Sequence, residues 1–555
     1  MQRVPIKPLT LIFGPNASGK SSIIQTLLLA RHGMYADEKE SSLGPGLDGG
    51  VHLGGFPNFV HKQDRSRNVV VRLETAKKEG AYLDLDGDSR ESNPLQQCSR
   101  FAIELQFGLP EEGKVPKAMA ALPHVRLLDI FMDGRRAVSL HGCYGSCNCR
   151  MVDSDHPLLE ASLATILKWS LSSSKEPLEQ QLRELARRRL AARLSEANFR
   201  AEILGEGASV SAADLLKDEP SLGEVSIESE LAVLKQVFSK AMVGRLFLLL
   251  ATRLQDLGPY NGHNRQIWDE WLNRGDGTEG FDDRPDGSLT TFFKYHREEE
   301  EDAENWWPEA QAICHNLGRL IEEFTDQITR SLSSVHHLGP VRRVPGRHDW
   351  RIGAYEPRED EKVNEWLGKL GTCYLRKTRR WIAEQDPAVD QAVNPPPTLF
   401  EPLLHDTGTN TVLSVHDVGF GIGQVLPILE SAAALRERLI AIEQPEAQLH
   451  PAQQAELGDI FIESALGERK NTFILETHSE HLILRIMRRI RDTTKGGDAL
   501  PKGLPSVRPR DVAVLYVERQ GDHSIVREMP LNESGELVKA WPGGFFEESF
   551  NEMFA

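Results

Sequence analysis

Residues 11–29 read LIFGPNASGKSSIIQTLLL, and this stretch decides the fold of the chain. The apolar run at 9–13 is typical of a buried strand. Gly14 and Gly19-Lys20-Ser21, separated by four residues, match the phosphate-binding loop, and residues 22–31 continue as an apolar helix. A strand, this loop and a helix in that order predict a nucleotide-binding α/β domain.

The residues of the loop each have a chemical role. Gly14 and Gly19 let the backbone wrap closely around a polyphosphate, so that successive N–H groups point inward. The helix that follows adds the positive end of its dipole. Lys20 is expected to pair with the β- and γ-phosphates and the Ser21 hydroxyl to hold Mg²⁺. The loop therefore predicts ATP and Mg²⁺ as cofactors, with nucleotide contacts from Asn16, Ala17, Ser18, Gly19, Lys20, Ser21 and Ser22.

Composition limits the class of protein. The chain has 555 residues, 40% hydrophobic and 26% charged, which is ordinary for a globular protein with more than one domain. Six cysteines in this length do not make a disulfide framework, and the absence of a leader-like N-terminus predicts a cytoplasmic protein. No apolar run is long enough to predict a membrane span. A net charge of −17 excludes a generally basic nucleic-acid coat, so DNA binding would need local patches.

A long helical block separates the N-terminal loop from the strands near the end of the chain. We interpret this block as an insertion in an α/β ATPase. Helices are predicted at 179–198, 231–254 and 306–332. Strands are predicted at 68–75, 101–107, 126–132, 400–405, 411–416, 438–442, 471–475, 512–517 and 524–529. The predicted domains are an N-terminal ATPase lobe (1–157), a helical insertion (158–333), a C-terminal ATPase lobe (334–495) and a small β-containing cap (496–555).

One cysteine cluster is a candidate metal site. Cys143, Cys147 and Cys149 lie close together, and His156 follows nearby. Three thiols and an imidazole could complete a tetrahedral zinc site. The spacing matches no common zinc pattern, however, and a loop with no metal is the alternative.

Polar residues follow two later strands and open one helix. The strand at 438–442 is closed by Glu443-Gln-Pro-Glu446, and the strand at 471–475 ends in Glu476-Thr-His478. The segment 417–424 reads DVGFGIGQ and opens an apolar helix. A further strand begins at 334 and is expected to end in a turn with exposed arginines at 342 and 343.

This order of motifs resembles the ABC-type ATPases of the SMC, RecF and OLD group. The resemblance implies an ABC/SMC-like P-loop head in which Glu443 reaches Mg²⁺ through water, opposite Ser21. It implies that His478 senses the γ-phosphate, and Gln63 occupies about the place of a metal-contacting loop glutamine. The signature segment would reach the nucleotide of a second subunit in a homodimer or higher oligomer, through Gly419, Gly421, Gly423 and Gln424.

The "GFGxxQVLPIL", "EQPE", "ETHSEHL" and "WPxGFF" segments resemble a narrower group, the OLD-related defence ATPases with a C-terminal domain of unknown function, related to the Septu type. Such proteins commonly work in bacterial defence against phage, with a nuclease as a separate subunit, for example of the HNH type. Residues 515–518 superficially resemble the start of a Toprim nuclease, but no Asp-x-Asp follows, so a nuclease in this chain is not expected.

The chain departs from the ATPase pattern at Gln444, where a catalytic glutamate is usual. A glutamine can orient water but cannot accept its proton, so hydrolysis should be slow unless Glu446 or His478 compensates. The candidate catalytic residues are therefore Glu443, Gln444, Glu446 and His478. Three functions stay open: a slowly hydrolysing sensor that controls a nuclease, an ATP-locked scaffold, and a RecF-like DNA-repair ATPase.

Two basic runs are candidate DNA surfaces. One covers residues 376–381, and the other consists of Arg485, Arg488, Arg489 and Arg491 just after the switch histidine. The alternative for each run is a solvated surface or salt bridges to the many acidic residues, and we favour it slightly.

Overall fold

The computed structural model describes most of the α/β part of the chain and little of the predicted insertion. The residues that it describes are 2–34, 56–77, 97–109, 124–143, 146–153, 155–164, 335–342, 351–352, 357–382, 398–496 and 499–542, with isolated residues between 177 and 332. The predicted helices at 179–198, 231–254 and 306–332 lie largely outside the described residues.

The described strands and helices are these, in chain order. The strands are β1 (Leu9–Phe13), β2 (Val69–Ala76), β3 (Arg100–Gly108), β4 (His124–Met132), β5 (Arg135–Cys143), β6 (Ser146–Val152), β7 (His336–Leu338), β8 (Arg351–Ile352), β9 (Tyr374–Ile382), β10 (Thr398–Asp406), β11 (Thr411–Ser414), β12 (Leu439–Glu443), β13 (Thr472–Glu476), β14 (Val512–Gln520) and β15 (His523–Glu528). The helices are α1 (Lys20–Met34), α2 (Phe56–Phe59), α3 (Pro357–Lys369), α4 (Phe420–Ala434), α5 (Pro451–Leu466) and α6 (Glu480–Thr494).

The first compact unit contains residues 1–28, 49–51 and 331–555, and a six-stranded sheet forms its centre. The strand order is β15-β14-β1-β13-β12-β7. All pairs are parallel except β14 with β15, which form an antiparallel hairpin at one edge. The strands between the edges read as apolar runs, LTLIF in β1 and LIAIE in β12, as expected for a sheet covered on both faces.

Helices α3 to α6 supply much of the core of this unit. Apolar side chains of β1, β12 and β13 pack with those of α4, α5 and α6 in one continuous cluster. Trp366 of α3 is fully buried in the same cluster, and its indole N–H donates to the Glu463 carboxylate of α5 at 3.0 Å. A small antiparallel sheet in this unit has the order β11-β10-β8, with β9 also paired to β10.

The second compact unit contains residues 29–48 and 52–330. Its described part contains a five-stranded antiparallel sheet with the sequential order β2-β3-β4-β5-β6. Phe101 of β3 stacks on Phe324, with ring centroids 4.9 Å apart. The predicted strands at 68–75, 101–107 and 126–132 correspond to β2, β3 and β4.

The fold class was predicted correctly, and the four predicted domains stay a prediction. The strand-rich segment after α1 and the described residues of the insertion belong to the second unit. Strand β14 pairs in parallel with β1, from Leu9↔Val512 to Phe13↔Tyr516, so the C-terminal hairpin extends the central sheet.

Candidate functional site

The candidate site lies at the carboxyl ends of the parallel strands of the central sheet. Strands β1, β12 and β13 are parallel neighbours, so their carboxyl ends lie next to one another. Three segments meet there: the phosphate-binding loop, the acidic turn after β12 and the segment after β13. Ligands of open α/β sheets bind at this end of the strands, and the predicted residues of all three motifs therefore meet.

The backbone of the loop adopts conformations that its sequence permits. Gly14 has φ +145° and Gly19 φ +94°, both in the region that favours glycine. A Cβ on Gly14 would lie 2.1 Å from the Val517 carbonyl oxygen of β14, so a side chain is excluded there. Ala17 has φ +59°, an uncommon conformation for a residue with a Cβ. The conformation of the loop thus depends on glycine at positions 14 and 19.

Lys20 lies inside the loop and is only 4% exposed. Its ammonium donates to the Gly14 carbonyl at 3.0 Å and to the Pro15 carbonyl at 2.8 Å. An ammonium has three donors, so one remains for a ligand phosphate. Burial lowers the pKa of Lys20, while Glu476 and Glu446 act to raise it.

Glu476, the last residue of β13, was not assigned a role from the sequence. Its Oε1 accepts a hydrogen bond from the Ser21 hydroxyl at 3.0 Å, and its Oε2 is buried with no hydrogen-bond partner. Burial raises the pKa of Glu476, and the neighbouring Glu443 raises it further. The available signal was an acidic residue directly before Thr-His at the end of a strand that is otherwise apolar.

Glu443, the predicted metal-binding acid, does not contact Ser21 in the structure. Its Oε1 is hydrogen-bonded to Nε2 of His337 from β7 at 2.9 Å. Its Cα is the register partner of Glu476, so the two carboxylates leave adjacent strands side by side. The metal role predicted for Glu443 stays a prediction.

Arg342 was predicted to be exposed, and the structure corrects this: the residue is 5% exposed. Its guanidinium donates to the carbonyl oxygens of Glu443 and Gln444 at 2.6 and 3.1 Å and therefore holds the turn after β12. Burial lowers the pKa of Arg342 to about 10, although Glu446 and Glu443 act to raise it. Both of its other nitrogens, Nε and the second terminal nitrogen, are buried without a hydrogen-bond partner.

Gln444 begins the turn with φ +48°, and its N–H donates to the Glu476 carbonyl at 2.7 Å. Glu446 is held more firmly. Its two carboxylate oxygens accept from the Thr477 hydroxyl at 2.8 Å and from the His478 N–H at 2.7 Å. Burial raises the pKa of Glu446 in spite of these bonds. Glu446 therefore ties the two motifs together, and a role as base would require it to give up one of these contacts.

His478 lies at the carboxyl end of β13, where the sequence predicted it. Burial lowers the pKa of its imidazole, and the nearby Lys20 lowers it further. Both effects favour the neutral ring, which can donate or accept a hydrogen bond at a phosphate. Ser479 caps α6 through a hydrogen bond from the Leu482 N–H to its hydroxyl at 3.1 Å, so the helix fixes the position of the histidine.

The predicted signature residues begin α4. Gly419 is its N-cap, and Phe420 is 58% exposed. Gln424 is 2% exposed, and its amide exchanges two hydrogen bonds with the backbone of Arg342, at 2.9 and 3.0 Å. Gln424 therefore has a structural role within its own chain, unlike the predicted contact with a second subunit. Nucleotide contacts by Gly419, Gly421 and Gly423 stay predictions.

Other metal candidates gain no support. Gln63 lies in the second compact unit, in a short 3-10 helix with φ +57°. His156 was considered as a zinc ligand, but its Nδ1 accepts from the Leu158 N–H and its Nε2 bonds the Met132 carbonyl. The side chains of Cys143, Cys147 and Cys149 lie outside the described residues. Among described side chains, no group of three or more His, Cys, Asp or Glu has metal-binding geometry.

Most of the arginines in the two basic runs are engaged within the chain. Arg376 is buried against Asp360 and Glu430. Arg485 and Arg489 both pair with Asp459 of α5, at 2.6 and 2.8 Å. Arg485 and Arg489 hold α6 on α5. Internal salt bridges, the alternative that we favoured from the sequence, describe all three arginines better than a DNA surface.

A cavity of about 340 Å³ opens beside the first half of the loop. Its walls come from the loop and from the C-terminal segment, namely Pro15, Asn16, Ala17, Ser18, Tyr516, Glu518, Arg519 and Pro542. The hairpin of β14 and β15 is therefore part of the surroundings of the loop. No helix among the described residues is long and apolar enough to cross a membrane.

Family models match three segments of the chain. Residues 6–182 match the AAA domain and residues 307–483 match the AAA ATPase domain. Residues 507–555 match a protein family of unknown function, DUF3696. The loop lies in the first match, and the ends of β12 and β13 lie in the second. The chain is thus similar to AAA ATPase domains in two separated segments.

Two solved structures of Smc heads are similar over nearly the whole chain. One is the Smc head domain with an extended coiled coil, bound to the C-terminal domain of ScpA and derived from Pyrococcus furiosus: identity is 12%, the TM-score is 0.32, and 99% of this chain and 94% of that chain are covered. The other is the SmcHead bound to the C-winged helix domain of ScpA, with 11% identity, a TM-score of 0.33 and coverage of 96% and 93%. A comparison with curated proteins found none that matches.

Proposed function

We propose that the chain is a Mg²⁺-dependent ATPase with slow turnover that acts as the sensor or regulatory subunit of a defence complex. The observation that carries the ATP chemistry is the meeting of the loop, Ser21, Glu443 and Glu476 at one edge of the sheet. Lys20 supplies positive charge for the terminal phosphates, and the carboxylates supply the oxygen ligands that Mg²⁺ prefers.

Slow hydrolysis follows from the groups around the turn after β12. Gln444 carries no proton acceptor of sufficient basicity, and both oxygens of Glu446 already accept hydrogen bonds. General-base help is worth about 10²–10⁴-fold in rate. A site without a positioned general base hydrolyses ATP slowly, so the ATP-bound state is long-lived. A long-lived ATP-bound state suits a sensor.

ATP-dependent assembly is the second part of the proposal. The N-terminus of α4 has a glycine at its cap and an exposed phenylalanine, Phe420, in its first turn. A helix N-terminus offers N–H donors and a positive dipole end to an anion. We propose that this end meets the nucleotide of a second copy, so that ATP joins two heads.

Control of a nuclease supplied in trans, and a role against phage, rest on the resemblance of the motifs to OLD-related ATPases. An HNH-type or similar nuclease encoded beside this chain would support this part. Co-expression of both proteins should restrict phage plating, and Lys20→Ala should abolish the restriction. Full restriction by the Lys20→Ala protein would contradict control by ATP.

The ATP chemistry itself is tested with purified protein. The wild type should bind ATP with Mg²⁺ and hydrolyse it slowly but measurably, and Lys20→Ala should do neither. Sedimentation with ATP and Mg²⁺ should show a dimer or larger species that is absent without nucleotide. If the wild type does not bind ATP, the proposed function is wrong.

One specific observation favours a second candidate, a scaffold that ATP locks and that does not turn over. Glu446 uses both of its oxygens to join Thr477 and His478 to the turn after β12, which is the arrangement of a structural residue. Under this proposal ATP assembles the complex while hydrolysis is undetectable even when the partner is present. A DNA-repair ATPase has less support, because Arg376, Arg485 and Arg489 are paired internally.

A further inference from the structure

We propose that Glu476 belongs to the metal site: one oxygen of its carboxylate positions the Ser21 hydroxyl, and the other faces the water shell of the nucleotide-bound Mg²⁺. The inference rests on the proposed ATPase function and adds a residue that the motifs do not assign. The usual pattern has its metal-directed carboxylate at the end of the β12 strand, whereas Glu476 ends the neighbouring strand β13.

The first argument is the direction of the Ser21 proton. A hydroxyl that binds a metal ion uses an oxygen lone pair, so its proton must point to another acceptor. The Ser21 hydroxyl donates to Glu476 Oε1 at 3.0 Å. This bond points the lone pairs of the Ser21 oxygen away from Glu476. They are then available to coordinate an ion held by the loop.

The second argument is the other oxygen of the same carboxylate. Glu476 is 6% exposed, and its Oε2 has no hydrogen-bond partner. Buried carboxylate oxygens are normally paired, so this atom calls for a donor or a cation. Mg²⁺ usually keeps several of its waters and contacts one or two carboxylates, and a water of that shell would supply the donor.

The third argument is that Glu476 is the carboxylate bonded to the loop serine, whereas one oxygen of Glu443 and both oxygens of Glu446 are bonded elsewhere in the chain. Glu443 bonds His337 through Oε1 at 2.9 Å, and Glu446 bonds Thr477 and His478 with its two oxygens. Glu476 alone of these three directly contacts the loop serine. A divalent cation beside Ser21 would also offset the like charges of Glu443 and Glu476, which leave adjacent strands side by side.

The test uses Mn²⁺ as the probe, because its binding is followed directly by electron paramagnetic resonance. Full-length wild type and Glu476→Gln are compared with a non-hydrolysable ATP analogue bound. Changes around a metal site typically weaken metal affinity 10–100-fold, and we expect a loss of that size in Glu476→Gln. Nucleotide affinity measured in the presence of a chelator should stay within about twofold, because Lys20 and the loop are unchanged.

The matched control is Glu480→Gln, which removes a carboxylate four residues further along, in the first turn of α6. It should bind Mn²⁺ like the wild type. Ser21→Ala gives a second measurement: combined with Glu476→Gln it should lose less affinity than the product of the two separate losses, because one oxygen of Glu476 acts through Ser21.

Unchanged Mn²⁺ affinity in folded Glu476→Gln would overturn the assignment while leaving the ATPase proposal intact. If Glu476→Gln does not fold, Glu476→Asp decides instead, since it keeps the charge but shortens the reach to Ser21. Normal Mn²⁺ affinity in both single variants, Glu476→Asp and Ser21→Ala, would then reject the proposal. A wild type that binds no nucleotide with or without metal would overturn both proposals.

Discussion

The loop lysine is the residue whose environment most clearly indicates its role. Lys20 is buried at the cost of solvation, and it gives two of its donors to carbonyl oxygens of its own loop. A buried ammonium in this position gains from an anionic ligand, because the ligand satisfies its third donor and offsets the charge. The motif predicted this role from sequence because all the participating residues lie within seven positions.

Replacement of Lys20 by alanine should therefore abolish tight ATP binding. Hydrogen bonds to charged groups contribute about 1.5–3 kcal/mol each, so loss of one such bond lowers affinity at least about tenfold, and loss of several bonds to phosphate together abolishes tight binding. Isothermal titration calorimetry with ATP measures the loss. Lys377→Ala, which removes an exposed lysine from β9, is the control and should bind normally. Equal affinity in the two variants would contradict the loop assignment.

Gln444 allows a prediction about rate. Gln444→Glu adds a proton acceptor beside the site, so hydrolysis should rise, by at most about 10²–10⁴-fold, while ATP affinity changes little. Steady-state phosphate release measures it. Glu446→Gln is the counterpart: it removes an acceptor from the His478 N–H or the Thr477 hydroxyl and should lower the melting temperature. If turnover collapses in Glu446→Gln and Gln444→Glu is silent, Glu446 is the base.

Glu476 shows why part of the site could not be predicted from the sequence. Its partner Ser21 lies 455 positions away in the chain, and only the pairing of β1 with β13 brings them together. The strand at 471–475 was predicted one residue early, since β13 ends at Glu476. That single position makes the carboxylate part of the strand, beside Glu443, instead of the start of a loop.

At the scale of elements, helix α4 gives a test of assembly. Gly421 is a poor site for it, because a Cβ there would lie 2.7 Å from the Gln448 carbonyl oxygen and disturb the monomer. Gly419 is better: a Cβ meets nothing within 4 Å, and φ is −55°. Aspartate is also a favoured N-cap residue.

Gly419→Asp should keep or slightly raise the melting temperature and yet abolish ATP-dependent association. The new carboxylate would cap α4 and would repel the phosphates of a second copy. Analytical ultracentrifugation with ATP and Mg²⁺ measures association, and Gly419→Asn is the uncharged control, which should still associate. Dimers of Gly419→Asp that form as readily as those of the wild type would refute a nucleotide contact at this helix end.

The contact between α3 and α5 predicts a pH dependence of stability. Burial acts to raise the pKa of Glu463, but hydrogen bonds from Lys362, Trp366 and Lys369 outweigh it and lower the pKa below its ordinary value. A carboxyl group with a lowered folded-state pKa stabilises the protein above its unfolded-state pKa, and this contribution is lost as the pH falls through the folded-state value.

Glu463→Gln should therefore lower the free energy of unfolding by about 1–3 kcal/mol at pH 7, since Lys362 and Lys369 lose a charged partner. The difference in stability from the wild type should shrink as the pH falls below 4.5. Chemical denaturation at several pH values measures both effects. Glu468→Gln, at an exposed position after α5, should change stability little at any pH. A deficit in Glu463→Gln that does not vary with pH would show that the ion pairs contribute nothing.

At the scale of the whole molecule, the C-terminal hairpin belongs to the nucleotide-binding unit. β14 borders β1 along its length, Lys7 donates to the Val512 carbonyl at 2.9 Å, and the rings of Phe13 and Trp541 lie 5.3 Å apart. The sequence predicted the hairpin itself, because alternating and turn residues are local signals. It could not predict the pairing of β14 with β1, which joins opposite ends of the sequence.

Removal of residues 507–555 should therefore abolish nucleotide binding and not merely a peripheral function. It exposes the edge of β1 and removes one wall of the cavity beside the loop. ATP binding and thermal unfolding of the truncated protein measure the effect. The matched comparison removes only 543–555, beyond the cavity-lining Pro542, and should retain binding. A truncated protein lacking 507–555 that still binds ATP tightly would contradict this account.

The position of β1 between β13 and β14 also sets the order of events on the ribosome. The loop strand is synthesised long before its neighbours, since β13 begins at Thr472 and the contact from Lys7 to Val512 spans 505 positions. At about 5–20 residues per second, translation needs roughly 25–100 seconds to supply that partner. For that time β1 and its glycine-rich loop have no neighbouring strand to pair with, so ATP can act as a folding ligand only once β13 and β14 have been made.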